Sequence, residues 1–262
     1  MTNATQNGAA LDQTRRKLYK KWFDTVTLML ATIAIVFAVI QFIDSRIQKS
    51  EMREIAESMS TRFIGEFPKN MDNIIQVVSG PTKELDIMID FPGYGNYSNP
   101  DGFKVYFRKI LDLAERKVKV RMLVYDEKTR TENRARQLKK DFESKIMGSE
   151  RFDYFFHYVH PTVPVPKNYE EFSTALTKIE AGYEDQLSSQ GVEIRKVSSP
   201  FVFYLWLEDE EDGVFSFQNA DEGAREISFR TRDGTLLRTL KETFERSWKA
   251  HPLSPSQPVP HA

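Results

Sequence analysis

Apolar positions along the chain follow three regimes. From Thr25 to Ile43 they are continuous: TVTLMLATIAIVFAVIQFI carries no charge over 19 residues and is bounded by Asp24 and Asp44. As a helix at ~1.5 Å per residue this stretch spans about 28 Å, close to the hydrocarbon thickness of a bilayer. Beyond it, Ile43, Ile47, Met52, Ile55, Met59 and Phe63 recur at near-helical spacing among charged residues. This second regime predicts that the helix runs on as a stalk over 44–68, until Gly65 and Pro68 stop it. The stripe has two readings, a coiled-coil-like self-association seam or a face packed on the domain below. The step from Ile47 to Met52 breaks a clean heptad.

The third regime, 69–249, alternates helix and strand patterns. Met71 to Val78 reads as a short helix, and Leu85, Ile87 and Ile89 share one face of a strand in ELDIMID. A turn-rich loop from Phe91 to Gly102 leads to an amphipathic helix from Phe103 to Ala114. Val118, Val120, Met122 and Val124 then alternate along a strand. Such a strand–helix–strand unit requires a right-handed crossover and a parallel pair. Glu127 to Met147 reads as one long charged helix, and FDYFFHYVHPTVPVP (152–166) as a packed irregular excursion. A helix from Tyr169 to Leu187 and a strand from Val192 to Val197 follow. FVFYLWL (201–207) is apolar on both faces, the mark of a central strand. An acidic turn closed by Gly213, strands around Phe215–Phe217 and REISFRT, and a helix capped by Asp233 complete the domain. The expected fold class is α/β: a single N-terminal membrane helix followed by a mixed-sheet domain.

Composition sharpens this picture in few places. The outer blocks, 1–24 and 250–262, are polar or Pro-rich and predict no packed structure. Zero cysteines exclude disulfides, zinc–thiolate sites and thiol nucleophiles. A net charge of -1 gives no strong nucleic-acid signal. A cleaved signal peptide fits poorly, because the apolar run is long and QFIDSRIQKS offers no small-x-small site. An uncleaved anchor with the bilayer as partner is the expectation, a buried helix the alternative. Five positive charges in RRKLYKK precede the segment, against Arg46, Lys49 and Arg53 after it. That bias places the N-terminus in the cytoplasm and the domain outside.

Candidate chemistry gathers where parallel strands end, since ligands of open α/β sheets collect there. Asp90, Gly93, Tyr94, Gly95 and Ser98 lie in the first such loop, and Asp126 in the second. The glycines would let backbone amides approach an anion such as a phosphate-containing ligand, and the hydroxyls would hydrogen-bond it. A structural turn is the plain alternative, since GYG is no phosphate-loop motif. Asp90, Asp126 and Asp209 would meet if their strands ended at one sheet edge, although acids at strand ends also form turns. His157 and His160 would share a face if helical, but Pro161 and the surrounding aromatics favour packing over a metal site. No cofactor motif and no G-x-S-x-G element is present.

The segment from about Glu84 to Trp248 resembles the phospholipase D superfamily in one-unit form. ELDIMIDFPGYGNYS is similar to its opening strand and loop. GVFSFQNADEGAREISFRTRDGTLLRTLKETFERSW is similar to its closing part, where the family has Gly-Ser-x-Asn, a further strand and a helix with Phe and Trp. The resemblance puts Ser216 and Asn219 near the Ser and Asn positions, with the spacing off by one residue. It also exposes a departure. The family's catalysis rests on H-x-K-x4-D; with the aspartate at Asp209, the histidine position holds Val202 and the lysine position Tyr204. No histidine of the chain is followed by x-Lys. The resemblance therefore implies a pseudoenzyme: a ligand-binding or scaffolding module rather than a phosphohistidine enzyme. A hydrolase with a different site and a receptor-like signalling protein are the alternatives.

Overall fold

The computed structural model describes residues 60–217 and 226–252. Thr25–Ile43, the stalk up to residue 59, Asn219 and the tail beyond Pro252 lie outside the described residues. Among those described, no helix is long and apolar enough to cross a membrane.

One seven-stranded mixed sheet organises the domain. In chain order the strands are β1 (Thr61–Glu66), β2 (Glu84–Met88), β3 (Lys119–Tyr125), β4 (Glu193–Val197), β5 (Tyr204–Glu208), β6 (Asp212–Phe217) and β7 (Ile227–Thr231). Their spatial order is β1-β7-β6-β5-β2-β3-β4. β2, β3 and β4 are parallel neighbours, whereas β5 joins β2 antiparallel and the rest continues antiparallel. The helices are α1 (Met71–Ser79), α2 (Pro100–Glu115), α3 (Glu127–Leu138), α4 (Glu150–Tyr154), α5 (Tyr169–Ser189) and α6 (Gly234–Ala250).

The alternation of apolar residues sorts the sheet into two packed faces. Ile87, Ile89, Met122, Val124, Trp206 and Val214 point to the side covered by α1 and α2, where Ile74, Val77, Tyr106 and Ile110 are buried. Met88, Leu123, Leu205, Leu207 and Phe215 point the other way, under Leu237, Leu240, Phe244 and Trp248 of α6. β5 is central, and Trp206 on it is fully buried, its indole donating to Tyr106 at 3.2 Å.

Three expected elements differ. The stalk does not run to residue 68 as a helix, because Thr61–Glu66 form the edge strand β1 on β7, with a bulge at Gly65 (φ 116°). Phe63, expected to continue a helical stripe, instead meets the Phe229 ring at 5.8 Å. The long helix from Glu127 stops at Leu138. Phe142 then enters a π turn (Phe142–Ile146) and is buried against Phe152, Tyr169 and Phe172. The excursion is more regular than expected: α4 and a second π turn (Phe155–Val159) bury Phe152, Phe155 and Phe156 in the same aromatic cluster.

Charged residues are buried on both faces. On the α6 side, Arg121 holds Asp86 through two bonds of 2.8 and 3.0 Å, and Lys241 reaches the same carboxylate at 2.7 Å. Burial raises the Asp86 pKa, and Arg121 and Lys241 oppose that rise. Between α3 and α5, Arg130 and Arg134 face Glu180, and Arg130 also reaches Glu184 at 2.7 Å.

Candidate functional site

A polar edge forms where β2 and β3 end, β5 starts, β6 ends and β7 starts. The strand directions bring these points together: the Tyr125 N–H donates to the Asp90 carbonyl at 3.0 Å, and Ser216 pairs with both Tyr204 and Ser228 across the ladder. Asp90 sits at the end of β2, with its carboxylate accepting from the Phe91 N–H at 2.9 Å. Burial pushes the Asp90 carboxyl up to about 6, against the Phe91 N–H, the charges of Arg130 and Arg134, and a hydrogen bond from Tyr204.

A second part of the edge is a chain of side-chain hydrogen bonds. Tyr94 donates its hydroxyl proton to Glu226 at 2.6 Å and accepts from the Asn70 amide at 3.1 Å. The same amide donates to Ser228 Oγ at 2.6 Å, and Ser228 lies 2.7 Å from Ser216 Oγ. The buried Asn70 Oδ1 finds no hydrogen-bond partner among the described residues. Burial pushes the Glu226 carboxyl up to about 7, opposed by bonds from Tyr94 and Ser216 and reinforced by the nearby Asp90 charge. Both acids therefore hold protons more tightly than in water, as carboxyls do in a low-dielectric site. The guanidiniums near Asp90 are already engaged by Glu180 and Glu184, so the edge is rich in hydroxyls and acids rather than basic.

The expected site residues divide. Asp90, Tyr94 and Ser216 stand at this edge. Asp126 is the N-cap of α3, accepting from the Thr129 N–H at 2.8 Å; burial opposes, but that bond and Lys128 and Arg130 hold its pKa low. Gly93 is packed, since a Cβ there would strike the Phe91 ring at 2.4 Å. Gly95 takes φ 84°, and a Cβ there would meet the Met71 methyl at 2.2 Å. The two glycines thus press the loop onto the core. Ser98 lies half-buried just before α2, whose N-cap Asn99 accepts from Gly102 at 3.1 Å.

Asp209 does not join Asp90 and Asp126. It follows β5, which runs antiparallel to β2, and so lies at the opposite edge, accepting from Thr82, Lys83 and Glu84 N–H groups at 2.9, 3.1 and 2.6 Å. Val202, where the resemblance would place the histidine, is 80% exposed ahead of β5. Tyr204, at the lysine position, is 2% exposed. His157 is exposed on the second π turn, whereas His160 turns inward, 3.3 Å from the Tyr183 hydroxyl and against the Phe155 ring. Burial first, then the charge of Lys104, lowers the His160 pKa.

Sequence reasoning missed Asn70, Glu226 and Ser228. Ser228 carried a misleading signal: alternation with Ile227 and Phe229 puts it on the outer side of a strand, yet it is fully buried while Ile227 is exposed. Asn70 and Glu226 carried none, because their partners lie 24 to 158 positions away.

No protein-family model and no curated protein matches the chain. Solved structures do. One is TrmBL2, an archaeal chromatin protein described as showing a novel mode of DNA binding. It is 12% identical, with TM-score 0.45 over 90% of this chain and 68% of that one. Another is Nuc from Salmonella typhimurium, a phospholipase D family member, 9% identical with TM-score 0.41 over 74% of this chain and 96% of that one. NucT from Helicobacter pylori is 11% identical, with TM-score 0.37 over 73% and 96%. At these values the likenesses assign no activity or partner to this chain.

Proposed function

We propose that the chain is a membrane-anchored binding module built on a phospholipase D-like unit that does not use that family's chemistry. One observation carries the reading. Where the sequence resemblance calls for an imidazole and an ammonium, Val202 is an exposed apolar residue outside the strand and Tyr204 is a buried phenol. A phosphohistidine route needs an imidazole to attack phosphorus and cations to hold the oxyanions. Neither is available there, and the acids Asp90 and Glu226 with the hydroxyls of Tyr94 and Ser216 stand instead. The ligand fitting such an edge is one read by hydrogen bonds. The anchor in this reading is Thr25–Ile43.

A second reading is favoured by Asp90 and Glu226, two carboxyls raised towards neutrality as general acids often are. In it the chain is a hydrolase using carboxylic acids. One assay separates the two: hydrolysis of bis(p-nitrophenyl) phosphate by the full chain, with and without chelator. The binding-module reading expects the rate of buffer alone in both. Turnover abolished by Asp90→Asn or Glu226→Gln establishes the hydrolase. Turnover in chelator that vanishes with His157→Ala or His160→Ala restores a histidine route and overturns both.

A further inference from the structure

α6 covers only part of its side of the sheet. Near its start, Leu237 packs so closely on Gly213 of β6 that a Cβ there would meet it at 3.1 Å. Near its end, the Trp248 ring lies 4.0 Å from the Arg195 guanidinium of β4. The helix thus crosses from β6 towards β4 and leaves β7 and β1 open on this side.

Alternation along the strands fills the open end with rings. Phe63, Phe229, Phe215 and Phe217 touch in a chain with centres 5.6 to 6.4 Å apart, and Phe203 joins at Phe217. Phe63 is 59% exposed, and Phe217 and Ile227 are exposed beside it. The register puts one charged residue of β6, β7 and β1 on this side, Glu66 at the corner opposite Ile227. Arg230 belongs to the other side, where it reaches Asp212 and Gln76 of α1. A contiguous exposed apolar face of this kind marks an interaction surface.

The chain itself says what meets it. β1, which carries Phe63, is the strand that follows the apolar segment, and residues 44–60 separate Ile43 from Thr61. Fully extended at ~3.5 Å per residue, that connection reaches about 60 Å. A domain tethered by Thr25–Ile43 therefore always has a bilayer within reach of this corner, at a high effective concentration. A second protein must be met by diffusion.

We propose that the open β6–β7–β1 face rests on the bilayer surface, with Phe63, Phe217 and Ile227 entering the boundary between headgroups and acyl chains. The proposal rests on Thr25–Ile43 being an anchor and adds a fixed orientation of the domain. The hydroxyl-and-acid edge, which adjoins Phe217 and Ile227, then opens at the headgroup layer.

The chain has no cysteine, so a single nitroxide can be placed at any chosen residue. The test uses the full chain in phosphatidylcholine nanodiscs, labelled at Phe63→Cys or Phe217→Cys, with Lys128→Cys on the exposed side of α3 as reference. At the two ring positions, collisions with oxygen should match or exceed the reference, and collisions with a water-soluble nickel chelate should be about fivefold rarer. Nickel collisions equal to the reference place the face in water and overturn the proposal. Low collision rates with both reagents overturn it too, and mean that protein covers the rings. Dipolar broadening that vanishes on mixing with unlabelled chain makes the face a contact between copies instead. In all three the chain is in the disc. Chain recovered outside the discs removes the anchor, and this proposal with it.

Discussion

Tyr94 and Glu226 stand 132 residues apart in sequence and 2.6 Å apart in space, the phenol donating to the carboxyl. This bond ties the loop after β2 to the start of β7, across the intervening β5 and β6. It also joins a loop expected from sequence to hold a ligand with an acid that sequence did not single out.

The pH dependence of stability follows from that acid and from Asp90. Both are raised on folding, Glu226 from 4.5 to about 7 and Asp90 from 3.8 to about 6. The folded state therefore binds more protons than the unfolded state between those values, so stability falls as pH rises through the window. Each group contributes on the order of 3 kcal/mol, present in full at acid pH and lost as pH rises through about 6 for Asp90 and about 7 for Glu226. Urea unfolding at pH 5 and pH 7.5 should show the drop, and Glu226→Gln should flatten it. A Glu226→Gln profile as steep as wild type would contradict this assignment.

Trp206 anchors the centre of the sheet, fully buried and hydrogen-bonded to Tyr106. Trp206→Ala should cost about 3–5 kcal/mol, through the cavity it opens and the Tyr106 hydroxyl it leaves without its donor. Chemical denaturation measures the loss, and a change below 1 kcal/mol would mean the indole is not in the core.

Asp86 and Arg121 should behave as a buried pair. Arg121→Met leaves the Asp86 carboxylate, 1% exposed, with Lys241 alone, and should cost about 3–5 kcal/mol. Asp86→Leu combined with Arg121→Met should cost less than the two single changes added together. Strict additivity in the double-mutant cycle would show that the two do not act as a unit.

For the proposed anchor, Ile35→Arg should cost ~2.5–3.5 kcal/mol on insertion scales and shift the chain out of carbonate-washed membranes. Wild-type chain recovered in the soluble fraction would remove the anchor from the reading altogether.

How far the sequence could be read depended on the range over which each cause acts. β2, β3 and the helix between them were legible, because alternation and a 3.6-residue period are written locally in Leu85–Ile89, Phe103–Ala114 and Val118–Val124. β1 was not, because Phe63 takes its conformation from β7, far along the chain. The break after Leu138 was hidden for a similar reason: a charged helix pattern continues through Phe142, and only the aromatic cluster pulls that ring inward. At the site, loop position pointed to Asp90 and Tyr94, which stand at the polar edge. Asp209 looked equivalent until the antiparallel direction of β5 sent it to the far edge.

β1 closes the sheet against β7, with Thr61 and Thr231 sharing a 2.7 Å hydroxyl contact over a separation of 170 residues. The first strand of the domain to be synthesised is thus among the last to find its partner. At ~5–20 residues per second, translation alone keeps the two apart for roughly ten to thirty seconds. Through that interval Phe63 and the unpaired backbone of the nascent strand are open to any other edge they meet. In the living cell, the domain's exposure to misassembly is set by how quickly its last strand emerges.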